Sequence, residues 1–101
     1  MNPRDTEAMS SLALYYAKKG NAAIAQQYIK RARAVNTKSV DLIYYQGVIE
    51  TLAGNDSDAI KTLAEAFKEG YPVDQAQTDP DLARLLSHPE FAQLLKTKSA
   101  Q

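Results

Sequence analysis

The chain matches itself at an offset of 34 residues. Gly20 falls on Gly54, Asn21 on Asn55, Ala25 on Ala59, Ile29 on Leu63 and Ala32 on Ala66. A period of this length, with small and apolar residues in fixed slots, limits the chain to an array of supersecondary units. A unit this short cannot bury its own apolar face, so it must stack on a neighbour. With 101 residues there is room for one domain with a modest core.

The punctuation predicts helices. Thr6 is a candidate N-cap, Glu7 stands in the first turn, Lys18 and Lys19 stand in the last, and Gly20 ends the helix. Met9, Leu12, Ala13 and Tyr16 recur at helical spacing. A second helix is expected over 22–35, with Ala25, Tyr28, Ile29 and Ala32 inward and Lys30, Arg31 and Arg33 mostly off that face. The third, over 40–53, is apolar nearly all round, which predicts enclosure on most sides. The fourth, over 57–69, follows Asp56 as the expected cap and carries Ala59, Ile60, Leu63, Ala66 and Phe67. Gly70, Tyr71 and Pro72 then end the regular part. Asp79-Pro80 opens a short helix with Leu82, Leu85 and Leu86, and His88-Pro89 opens another with Phe91, Leu94 and Leu95. Two short helices after the last repeat are what a terminal cap needs.

These residues resemble the tetratricopeptide repeat family. The first unit supplies Met9, Leu12, Ala13, Tyr16, Gly20, Ala25, Ile29 and Ala32, with Thr37 where proline is usual. The second supplies Ile43, Gly47, Gly54, Ala59, Leu63 and Ala66, with Pro72 displaced by one, and with Gln46 and Glu50 in place of the leucine and tyrosine of the pattern. The resemblance covers 6–73 and implies an all-α superhelix: repeat one at 6–39, repeat two at 40–73, and capping helices at 74–101. The tail is similar to the closing segment of many bacterial arrays, which are often joined to signalling or regulatory domains. Asn2-Pro3-Arg4-Asp5 reads like the end of an earlier repeat, so the chain is expected to be the C-terminal end of a longer protein. Helix one would then have lost its cover at Ala8 and Tyr15, with weak self-association as a consequence.

In this family the first helix of each unit lines the concave face. Mapped here, the groove comprises Ser10, Leu14, Ala17 and Lys18 from unit one and Tyr44, Val48, Thr51 and Leu52 from unit two. That lining is mainly apolar, and the cationic clamp that holds a peptide carboxylate is missing. The expected function is a protein-interaction module that takes an apolar partner segment. The alternative is a purely structural cap of a longer array, partnered only by preceding repeats or domains.

Other chemistry finds little support. Twelve bases balance twelve acids, which disfavours sequence-independent phosphate binding. The split is uneven, with seven bases against two acids in residues 1–39 and five against ten in the rest. A basic stretch around Lys18–Arg33 could mimic a helix-turn-helix, but the repeat already explains it, so no nucleic acid is expected. There is no cysteine and one histidine, which leaves no metal cluster and no Cys–His pair. His88 reads as a solvated helix-start residue, and Asp79 with Asp81 as capping residues rather than an acid–base pair. Glu50, among apolar neighbours, is the candidate for a perturbed carboxylate. Each of Tyr15-Tyr16 and Tyr44-Tyr45 points about a hundred degrees apart and forms no single platform. No cofactor, no membrane contact, no enzymatic activity and a cytoplasmic location are expected.

Overall fold

Two glycines 34 residues apart turn the chain in the same way. Gly20 and Gly54 have φ of 85° and 86°, a left-handed conformation that a side chain would resist. At each, the glycine N–H donates back to the third residue before it (Ala17 and Thr51). The following asparagine N–H donates to the fifth residue before itself (Tyr16 and Glu50). This paired closure ends a helix and satisfies carbonyls that the helix leaves open.

The structure is a computed structural model and describes residues 5–99. The Asn2-Pro3-Arg4 stretch and the last residues of the 74–101 cap lie outside the described residues. The fold is all-α. The elements are α1 (Thr6–Lys18), α2 (Ala22–Val35), α3 (Val40–Leu52), α4 (Asp56–Lys68), α5 (Val73–Gln77), a 3₁₀ helix (Pro80–Ser87) and α6 (Pro89–Ser99). α1 packs on α2 and α3 on α4 as two helical hairpins, and the C-terminal segment packs on the second. No described helix is long and apolar enough to cross a membrane.

Local signals placed the helix ends closely, with three differences. Asp5 caps α1 instead of Thr6, its Oδ1 accepting from the Ala8 N–H at 3.0 Å; a carboxylate there also meets the positive end of the helix. Asp56 is the first residue of α4 and caps nothing, because Asn55 holds the cap position. The single turn α5 was not marked by any periodicity. Asp79 does cap the helix opened by Pro80, Oδ1 accepting from the Asp81 N–H at 2.9 Å. That helix is wound as 3₁₀, so residues three apart eclipse. Leu82 and Leu85 are therefore buried together while Leu86, expected beside them, is turned out and about half exposed.

Side chains fill two contiguous cores. Met9, Ala13, Ala25, Ile29 and Ala32 of the first hairpin enclose Leu42 and Ile49 of α3. Ile43, Tyr44, Val48, Ala59, Leu63 and Phe67 meet Ala76, Leu82, Leu85, Phe91 and Leu95 of the tail. Leu14, Tyr45 and Leu52 touch both. α3 is enclosed as its sequence predicts, with α1, α2, α4 and the 3₁₀ helix around it. Ala25, Ala32, Ala59 and Ala66 are all fully buried.

Gly47 makes the tightest crossing. A methyl there would stand 2.6 Å from Leu63 Cδ2 and 2.7 Å from its Cγ. Gly47→Ala should therefore cost about 1–3 kcal/mol through overpacking, outweighing the roughly 1 kcal/mol by which alanine is the better helix residue. A lower urea midpoint checks this, and an unchanged or higher one would show that Leu63 yields freely.

Gln46 and Glu50, the departures from the repeat pattern, sit in a polar seam between the hairpins. Arg33 Nη1 donates to Gln46 Oε1 at 2.7 Å, and its Nη2 lies 3.7 Å from Glu65 Oε1. Glu50 Oε1 is buried without a hydrogen-bond partner among the described residues. Burial raises the Glu50 carboxyl above its ordinary value, while Thr62, Gln46 and Arg33 pull the other way. Folded Glu50 thus holds its proton more tightly than the unfolded chain does. Its contribution to stability is complete below the ordinary value of 4.5 and is lost as pH rises through the folded value. Glu50→Gln should raise stability near neutrality and flatten that decline. Thermal melts across a pH series measure both, and parallel curves for the two proteins would refute the assignment.

Candidate functional site

The groove residues named from the sequence do come from α1 and α3, but most of them face the protein itself. On α1, Ser10 is buried, its hydroxyl donating to the Glu7 carbonyl at 3.0 Å. Ala17 is buried and Leu14 half-buried between the two cores. Lys18 is exposed and reaches Asp81 at 3.4 Å. On α3, Thr51 is fully buried and donates to the Gly47 carbonyl at 2.8 Å. Val48 is buried, and Leu52 is half-buried.

Tyr44 departs most from expectation. Its position suggests a partner-facing ring, yet it is 3% exposed. The ring stacks on Tyr71 at 3.9 Å with the planes 6° apart. Its hydroxyl donates to Asp79 Oδ2 at 2.6 Å. The Asp79 carboxylate therefore serves two groups at once, Oδ1 starting the 3₁₀ helix and Oδ2 fixing that helix to α3. Tyr44, Val48 and Thr51 are thus not a surface open to a partner in this conformation. The chain from Gly70 onward turns back over the Tyr44 ring, through Tyr71 and Asp79.

Two more polar contacts hold the same segment. Asp56 Oδ2 lies 2.8 Å from His88 Nε2 and 3.2 Å from Arg84 Nη2, which ties α4 to the C-terminal end of the 3₁₀ helix. His88, read from the sequence as solvated, is a half-exposed partner of this carboxylate. Periodicity could not find that pair, since the residues lie 32 apart and in different elements.

The arrangement is one of fixed donors and acceptors. Burial, and then the Asp79 carboxylate, push the Tyr44 hydroxyl far above its usual range, so it remains a neutral donor. Burial pushes Tyr71 up to about 12. Among the described residues no group of three His, Cys, Asp or Glu side chains could hold a metal ion.

Open concavities lie elsewhere. One of about 310 Å³ lies between the starts of α1 and α3, lined by Thr6, Glu7, Ser10, Ser39, Asp41, Leu42 and Tyr45. Two others flank Arg33, one of them shared with Lys30 and Gln46 and the other with Glu65 and Glu69.

The first hairpin carries an aromatic ladder on its outer side. Tyr16 and Tyr28 stack at 6.0 Å and 5°, and Tyr15 meets Tyr16 edge-on at 5.3 Å. Adjacent tyrosines here indeed form no common platform, their planes being 79° apart. Tyr15 is 52% exposed. In the 34-residue register it corresponds to Ile49, which is fully buried against the first hairpin. Ala8 likewise corresponds to Leu42, buried in the same core. The face by which α3 docks on a preceding hairpin thus has a counterpart on α1 that the described residues leave uncovered.

Comparison with known proteins returned no match: no family model, no curated protein and no solved structure is similar to the chain.

Tyr44→Phe removes the hydroxyl while keeping the stack on Tyr71. It should cost about 1.5–3 kcal/mol, as for hydrogen bonds to charged groups. Hydrogen exchange should show the loss as faster exchange in 80–87 with little change in α1 and α2. Uniform acceleration over the whole chain would mean that the segment is not separately latched.

Proposed function

We propose that this chain is a protein-interaction unit of the tetratricopeptide type, one that closes a helical stack at its C-terminal side and accepts another helical element on its first hairpin. The observation that carries this reading is the contrast between Ile49, fully buried at the junction of the two hairpins, and Tyr15, half exposed at the corresponding slot. An aromatic ring left open where its counterpart is covered is the kind of surface that finds a partner. The opposite end offers no such slot, because α5, the 3₁₀ helix and α6 occupy the side of α3 and α4 that a further unit would use. The partner of the open face is a helical hairpin of the same or another protein. With no cover present, two copies can meet weakly through Tyr15 at high concentration.

A second reading keeps a peptide groove between α1 and α3, favoured by the open concavity beside Ser10 and Tyr45. A segment bound there would shift the backbone amide signals of Ser10 and Tyr45, whereas a helix on the outer face would shift those of Ala8 and Tyr15.

The test of the closing role uses a second copy of the 6–39 hairpin, spliced in register directly before Thr6. Stacking couples neighbouring units, so the extended protein should melt in a single transition above the parent. The same hairpin joined after Ser99 should melt apart from it. Independent melting of the N-terminal addition, or coupling only at the C-terminal end, would overturn the proposal.

A further inference from the structure

At the junction inside this protein, charge is matched across the hairpins: Arg33 of α2 lies 3.7 Å from Glu65 of α4 and donates to Gln46 of α3. The outer face repeats those slots with different chemistry. Thirty-four residues before Glu65 stands Arg31, before Gln46 stands Leu12, and before Ala53 stands Lys19. The sign of the charge has been reversed at the slot that receives a side chain from the neighbouring unit.

The two cations are held in place on the ladder. Arg31 Cζ lies 5.9 Å from the centre of the Tyr28 ring and Lys19 Nζ lies 5.2 Å from that of Tyr15, both within cation–π range. Neither makes an ion pair among the described residues, although Lys18 and Arg33 nearby both do. Tyr28 carries both the Tyr16 stack and the Arg31 guanidinium, and Tyr15 carries the Lys19 ammonium. The outer face therefore offers a partner N–H donors and positive charge around a half-exposed ring.

Building on the stacking role proposed above, we infer that the helix which covers this face carries a carboxylate in the slot that Arg33 fills at the internal junction, and that Arg31 receives that carboxylate. The occupant is an acidic helix of a partner hairpin. A second copy of this chain is a poor occupant in that geometry, because its own Arg33 would be brought against Arg31.

The added N-terminal hairpin provides the probe, in two versions: the unaltered copy, and one with Arg33→Glu made in the added hairpin only. At low salt the acidic version should melt about 1–4 °C higher, as expected for one exchanged charge contact in a protein of this size. The gap should narrow as salt is raised, close when Arg31→Gln is introduced in the parent part, and survive Lys30→Gln, which lies off the ladder. Equal melting of the two versions, with both still coupled to the parent, would overturn this inference and leave the stacking role intact. Independent melting of the added hairpin in both versions would overturn both. A gap that persists in the Arg31→Gln background would show that the carboxylate is received elsewhere and would also refute it.

Discussion

The distance between paired helices governs everything else in this molecule. At the α3–α4 crossing, Gly47 admits the Leu63 side chain so closely that one added methyl would overlap it. At the corresponding crossing in the first hairpin, Ala13 meets Ile29 in the same core, a slightly larger residue against a slightly different partner. Once these crossings are set, the apolar stripes of both helices in a hairpin point to the same side, and α3 must be enclosed by its neighbours. Packing of this density tolerates little change in volume. The polar seam of Arg33, Gln46 and Glu65 fits between the hairpins because the apolar contacts around it have already fixed the spacing.

The two ends of the stack are finished differently. One is sealed by the chain itself, through Leu82, Leu85 and Phe91 inserted into the second core and through Asp79, Asp81, Arg84 and His88 at its margin. The other keeps a half-exposed tyrosine where the internal junction has a buried isoleucine.

Much of this was legible in the sequence. The 34-residue offset, the glycines at 20 and 54, the buried alanines and the Asp79-Pro80 helix start are all local signals, set by backbone geometry and helical period. They are read correctly because the forces that create them act within one turn or between adjacent helices. The burial of Tyr44 was not legible for the opposite reason. Whether Tyr44 faces solvent depends on where the chain goes after Gly70 and Pro72, and the bond that decides it joins residues 35 positions apart. Asp56 was misread in the same way, since its carboxylate is drawn to His88 and Arg84 across the fold instead of to its own helix start. The outward turn of Leu86 required knowing that Pro80–Ser87 winds with three residues per turn. The raised carboxyl of Glu50 was visible from its apolar neighbours alone.

The bond between Tyr44 and Asp79 has a consequence for the order in which the chain can become a protein. The contacts within each hairpin join segments close in sequence and are available as soon as both helices exist. The seal over α3 is not, because its anchor lies 35 residues downstream of the ring it holds. On a ribosome, the second hairpin therefore emerges with Tyr44 and Val48 wetted, and stays so until Asp79 and the leucines behind it have cleared the exit. During that interval α3 lacks the cover that Tyr71 and Asp79 give its Tyr44 ring, and the second core is completed only when the 3₁₀ helix and α6 arrive.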